Sequence, residues 1–236
     1  MASQDRRERE RHATRTKIMD AARELFANHG FDNVSLRKIA EAIEYTPAAI
    51  YVHFADKEAL FRELAHEDFK ALAGICLEAD QITDPLARIA AIGTGYIHFG
   101  LQHPNHYRLM FMTSKAAALG DELTCAELAK KGDPAEDGYA YLHKCVVEAA
   151  ARGMLRDGLT DTHLVAQTMW AGVHGVTSLQ ITLHDDPWIE WATVADRIDV
   201  MVWSLVRGVA REPANYPPAD LERLRVASAA HAEAKP

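Results

Sequence analysis

Thr46, Tyr51, His53 and Lys57 fall within one short stretch, TPAAIYVHFADK, and offer a hydroxyl, a phenol, an imidazole and an ammonium. Such groups bond phosphate oxygens and base edges. Ala48 and Ala49 beside them are small enough to let a helix that carries them enter a major groove. Lys57 opens the next helical pattern, where its ammonium and the first backbone N–H groups could hold one phosphate together. A second set is apolar with polar tips: Tyr96, Phe99, His103, Tyr107, Met110, Phe111, Trp170 and His174. Aromatic and sulfur side chains of this kind line small-molecule pockets. At helical spacing they also make ordinary core, and both readings stay open. For His174, in an uncharged helix, the satisfied core histidine is the stronger reading.

Other chemistry finds too few partners. A di-iron bundle needs two Glu-x-x-His motifs and two further glutamates, and Glu63-x-x-His66 stands by itself. His98 and His103 are five apart, and Pro104 interrupts the helix before His106, so three ligands do not converge. Neither G-x-S-x-G, H-E-x-x-H nor a phosphate-binding glycine loop is present. Cys76, Cys125 and Cys145 contain no C-x-x-C pair and read as small buried hydrophobes. No catalytic residue, metal or cofactor is expected.

The elements that must position these residues are helices. Apolar residues recur at helical period through nearly the whole chain, and nothing alternates as a strand for more than a few residues. Four helix starts pair an N-cap with proline at the first helical position: Thr46-Pro47, Asp84-Pro85, Asp133-Pro134 with Glu136 as capping-box partner, and Asp186-Pro187. The pattern predicts an all-α chain with helices near 12–28, 35–42, 46–52, 56–78, 85–103, 105–113, 119–131, 134–157, 161–184 and 187–211. Three short helices precede residue 56 and longer ones follow. The boundaries expected are a DNA-binding module at 1–57, a helical body at 58–212, and a tail or marginal helix at 213–236.

In the first helix Ile18, Ala22, Leu25 and Phe26 make one apolar stripe, closed by His29-Gly30. Leu36, Ile39, Ala40 and Ile43 face inward from the second, and a tight turn leads to a very short third. Two short helices so joined form a helix-turn-helix pattern. The strings IMDAARELFANHGFDNVS, at 18–35, and SLRKIAEAIEYTPAAIYVHFADKEALF, at 35–61, resemble the DNA-binding signature of TetR-family bacterial regulators. The resemblance covers about the first 60 residues. It implies that Thr46, Pro47, Ala48 and Ala49 open the recognition helix, that Tyr51 and His53 contact phosphate, that Lys57 anchors the backbone, and that Arg37 reaches a base or phosphate from the second helix. The family usually has glycine in the turn, where this sequence has Glu44, so a slightly different backbone is expected there. HPNHYRLMFM at 103–112 and WAGVHG at 170–175 are similar to a subgroup with a Trp-x-x-x-His-Gly motif in its ligand-binding and dimerisation domain.

Charge is divided along the chain. The 236 residues carry a formal charge of −8, yet residues 1–17 hold six basic groups against three acidic ones and residues 1–53 sum to +1. The basic arm could follow phosphates or a minor groove, or stay solvated. Leu164 to Leu183 has no formal charge but too many polar residues for a membrane span. Its small Gly172, Gly175 and Ser178, with Trp191, Ile198, Val202 and Leu205 of the next helix, suggest a four-helix contact across a two-fold axis. The expectation is a cytoplasmic, homodimeric, ligand-responsive repressor with a double-stranded DNA operator and a small-molecule effector as partners, and no membrane contact. The alternative is a helical bundle that binds a ligand or metal without touching DNA.

Overall fold

The computed structural model describes residues 2–113 and 132–216. Its regular structure is helical: α1 Ala2–His29, α2 Leu36–Ala42, α3 Pro47–Tyr51, α4 Lys57–Glu78, α5 Pro85–Gln102, α6 Pro104–Phe111, α7 Gly138–Ala151, α8 Thr162–Leu183 and α9 Val194–Val209. Short 3-10 turns follow α4 and α9, at Ala79–Gln81 and Pro213–Asn215. The all-α reading agrees. The helix expected at 119–131, Cys125 and the tail past Tyr216 lie outside the described residues.

Contacts divide the chain into two units, Met1–Ala71 with His103–Lys130, and Leu72–Gln102 with Lys131–Pro236. In the first, Ile18, Met19, Ala22 and Phe26 of α1 enter a core with Val34, Leu36, Ile39, Ile50, Phe54, Leu60, Phe61 and Leu64. Phe26, Phe31 and Phe61 meet pairwise with ring centroids 5.2–5.6 Å apart. Each fully buried ring or aliphatic chain contributes about 1.5–3 kcal/mol, which is how such short helices hold together. α6 packs on α1 and brings Leu109 into this core. A boundary at residue 57 does not capture that grouping.

In the second unit α5 packs against α7, α8 and α9. It buries Ile89, Ile92, Tyr96, Ile97 and Phe99, while the other three contribute Val146, Val173, Val176, Val202 and Val206. Buried Arg88 bonds Glu148 at 2.8 Å and the Ile82 carbonyl at 2.8 Å, which joins α5 to α7. Cys76 and Cys145 are buried free thiols, and burial with the neighbouring Cys145 pushes Cys76 up to about 12. A thiol of that kind is inert at neutral pH.

Three boundaries move. α1 begins at Ala2, ten residues earlier than periodicity suggested, because its first turns are held by charge pairs such as Arg6–Glu10 and not by an apolar stripe. Asp133-Pro134 opens a turn: Asp133 accepts from the Ala135 N–H at 2.9 Å. The cap of α7 is Asp137, which accepts from Tyr139 and Ala140 just where the apolar stripe begins. Asp186-Pro187 likewise makes a turn closed on Trp188, and α9 waits for Thr193, whose hydroxyl accepts from Asp196. Trp188 and Trp191 therefore sit in a loop instead of on α9.

Candidate functional site

The helix-turn-helix forms as its local chemistry demands. Ser35 caps α2 by accepting from Lys38, and Thr46 caps α3 by accepting from Ala49 at 3.4 Å, with Pro47 at the first helical position. Ile50 is fully buried and fixes α3 to the core; Thr46, Pro47 and Ala48 face solvent, and Ala49 is half-buried. Thus the N-terminal end of α3 is a bare edge free of bulk. Glu44 adopts φ 59°, the one non-glycine residue at positive φ among the described residues. The expected backbone adjustment has not occurred: the turn keeps the left-handed geometry, because Tyr45 N–H must return to the Ala40 carbonyl at 2.9 Å.

Around this edge the polar residues differ in availability. Tyr51 is 59% exposed. Arg37 is exposed too, and its guanidinium bonds Glu41 one turn on at 2.9 Å. Lys57 is already engaged, since its ammonium donates to the Phe31 carbonyl at 2.9 Å and lies 4.0 Å from the Phe31 ring centre. His53 is half-buried, and burial, Arg11 and Arg15, in that order, hold its imidazole below the usual 6.5. Sequence reasoning missed Arg15. This residue donates to the His53 carbonyl at 3.4 Å, stacks 4.4 Å from the Phe54 ring centre and pairs with Glu63, tying α1 to α3 and α4. Its signal was available, as it stands one turn before Ile18 on the same face. Among the described residues no group of three or more His, Cys, Asp or Glu side chains could hold a metal ion.

Below the helix-turn-helix a buried ion cluster links α1, α4 and α6. Asp68, 1% exposed, accepts from Arg23 Nη2 at 3.0 Å and Nε at 3.3 Å, and pairs with His106 Nδ1 at 2.8 Å. A buried carboxylate is tolerable only when charged donors surround it.

The eight pocket candidates divide between the two units. Tyr107 and Met110 of α6 are fully buried, with Phe111 packed on Tyr107 and Phe69. His103 precedes α6 with its ring 5.1 Å from that of His106. In the second unit Tyr96 Oη meets His174 Nδ1 at 2.9 Å, and the Trp170 ring lies edge-on to His174 at 6.1 Å; Phe99 is buried in the same helix as Tyr96. Burial holds His174 below 6.5. Three residues not foreseen extend this group. Tyr139 packs 6.2 Å from Trp170 and bonds His163, and His143 stacks on His163 at 3.7 Å. The one-turn spacing of Tyr139 and His143 on α7 was the available clue.

The interface residues need correction. Ile198 and Val202 are buried in their own unit, so neither is available to a partner. Gly172 faces α9 of the same chain, where a Cβ would come within 2.6 Å of Leu205 Cδ1; Leu205 and Gly172 serve helix packing within the chain. Trp191 donates to the Leu183 carbonyl at 3.0 Å and is covered by Arg197. Gly175 and Ser178 are half-buried. Leu164, Leu179 and Leu183 of α8 are exposed, as is Val200 of α9 at 65%.

Comparison with known proteins agrees with this geometry. Residues 18–64 match the family model described as bacterial regulatory proteins, tetR family, and residues 89–198 match that of the tetracyclin repressor-like C-terminal domain. The HTH-type transcriptional repressor Rv1474c of Mycobacterium tuberculosis is 43% identical over 63 residues, 27% of this chain; the match spans 34% of that repressor. A TetR family transcription regulator from Marinobacter aquaeolei superposes with TM-score 0.68 at 20% identity, over 86% of this chain and 98% of its own. The structure described as AibR in complex with isovaleryl coenzyme A and operator DNA gives 0.62 at 19%, over 80% and 95%. These two likenesses show a shared fold.

Proposed function

The chain belongs to the TetR family of bacterial regulatory proteins, and we propose that it is a ligand-responsive transcriptional repressor. In this reading a homodimer places one α3 in each half of a pseudo-palindromic operator and lets go when a small molecule occupies the body. The observation that carries it is the bare edge Thr46-Pro47-Ala48, anchored from behind by buried Ile50 and flanked by Tyr51 and His53. A slim helix end with donors just beyond it can approach base edges while those donors bond phosphates.

The aromatic group around Tyr96, Trp170 and His174 is the proposed effector contact, supported by Tyr139. One neighbour in fold, AibR, was solved with an acyl coenzyme A and operator DNA together. Dimerisation is assigned to the face of α8 and α9 that carries the exposed Leu164, Leu179, Leu183 and Val200 with the half-buried Gly175 and Ser178. For release, the effector must bind the DNA-free geometry more tightly; about 1–3 kcal/mol of coupling gives a 5- to 150-fold loss of affinity. The regulator family gives no reason to expect catalysis, and no helix among the described residues is long and apolar enough to cross a membrane. Fluorescence anisotropy with a labelled duplex from upstream of the protein's own gene tests the reading. Saturable binding that weakens steeply with salt is expected, and its absence would remove the proposal.

A further inference from the structure

α1 outruns the unit it belongs to. Its contribution to the core starts at Ile18, while every described side chain from Asp5 to Ala13 is exposed. Arg7, Arg11, Arg15, Ile18 and Ala22 follow one another at intervals of four, four, three and four, so they share one helix face. That face turns toward the protein at Ile18 and Ala22. At Arg15 it meets the His53 carbonyl and the Phe54 ring, just past the end of α3. Beyond Arg15 the protein stops and the face continues, carrying Arg11 about 6 Å and Arg7 about 12 Å further along the axis.

The arm's other arginines are engaged locally. Arg6 pairs with Glu10 at 3.5 Å, and Arg9 donates to the Asp5 carbonyl at 3.2 Å. Arg7 and Arg11 have no ion pair or hydrogen bond among the described residues. The field of Arg11 nevertheless reaches His53, whose imidazole it helps to hold neutral. Two unneutralised guanidiniums thus overhang on the side where α3 ends, spaced on the order of neighbouring phosphates.

We infer that Arg7 and Arg11 form a phosphate-binding rail on the overhanging face of α1, which continues the contact surface of α3 along the backbone of duplex DNA without reading sequence. The inference rests on the proposed DNA-binding function and adds a surface to it. Two phosphates per subunit, four per dimer, imply that log K against log salt loses about 3.6 from its slope when both residues are removed.

Anisotropy titrations across a potassium chloride series test it, using the upstream duplex and a random-sequence duplex of equal length. Arg7→Ala/Arg11→Ala is expected to flatten the slope by about that amount on both duplexes. Arg7→Lys/Arg11→Lys should retain the slope, and Arg6→Ala/Arg9→Ala should change it far less. Circular dichroism and melting of the variants check that α1 still forms. An unchanged slope for the first variant overturns the rail, as does an equal loss from Arg6→Ala/Arg9→Ala, which would make the arm a diffuse charge. Wild-type protein that binds neither duplex would instead refute the functional reading, and the rail with it.

Discussion

Glu44 carries a measurable strain. A side chain in the left-handed region costs about 1 kcal/mol that glycine avoids, and φ 59° places Glu44 there. Glu44→Gly should therefore raise stability by about 0.5–1 kcal/mol in urea unfolding, with operator affinity retained; a loss of stability would mean that the carboxylate has a compensating role. Thr46 and Lys57 separate in the opposite way. Thr46→Ala removes the hydroxyl that caps α3 and, besides about 1 kcal/mol of stability, should alter preference among operator variants. Lys57→Ala should weaken all duplexes alike and reduce the salt slope. If the slope stays fixed, Lys57 is only the brace between α4 and Phe31 that its geometry describes.

Asp68 shows how helices far apart in sequence are joined. Removing it leaves buried Arg23 with only the exposed Asp20 carboxylate at 3.1 Å as counter-charge, so Asp68→Ala should cost about 3 kcal/mol in unfolding experiments, the low end for a broken buried pair. A loss below about 1 kcal/mol would show that the cluster is not what holds α6 to α1 and α4. This link could not be read from the sequence, because nothing in Arg23, Asp68 or His106 marks them as neighbours. What could be read was local: Ser35 and Thr46 as caps, the Ile18–Phe26 stripe, and the short α3. The two misplaced helix starts are instructive in the same way. Aspartate before proline opens a turn or a helix with the same first hydrogen bonds, and only the apolar stripe that follows decides which. At Asp137 and Thr193 that stripe lies just ahead; at Asp133 and Asp186 it does not. Ile198 and Val202 were misassigned for a different reason, since an apolar stripe on α9 looks alike whether its partner is α5 of the same chain or another copy.

For the chain as a whole, titration sets a pH limit. His53, His103, His143 and His174 are each held below 6.5, by burial first in every case. Between those lowered values and 6.5 the unfolded chain binds more protons than the folded one, so stability rises with pH through that window and is lost as pH falls below about 6.5. Melting temperature should drop on acidification, and the drop should shrink in His174→Asn; a pH-independent melting curve would contradict the burial of these rings. The acidic total of −8 does not oppose DNA binding, for residues 1–53 sum to +1 and the excess of acidic groups lies beyond them. Specificity must then come from two heads correctly spaced. Hydroxyl-radical footprinting of the upstream duplex measures that directly: the account predicts two protected patches on one face of the helix, centred about 34 Å or a multiple of it apart, and a single patch, or none, would contradict it.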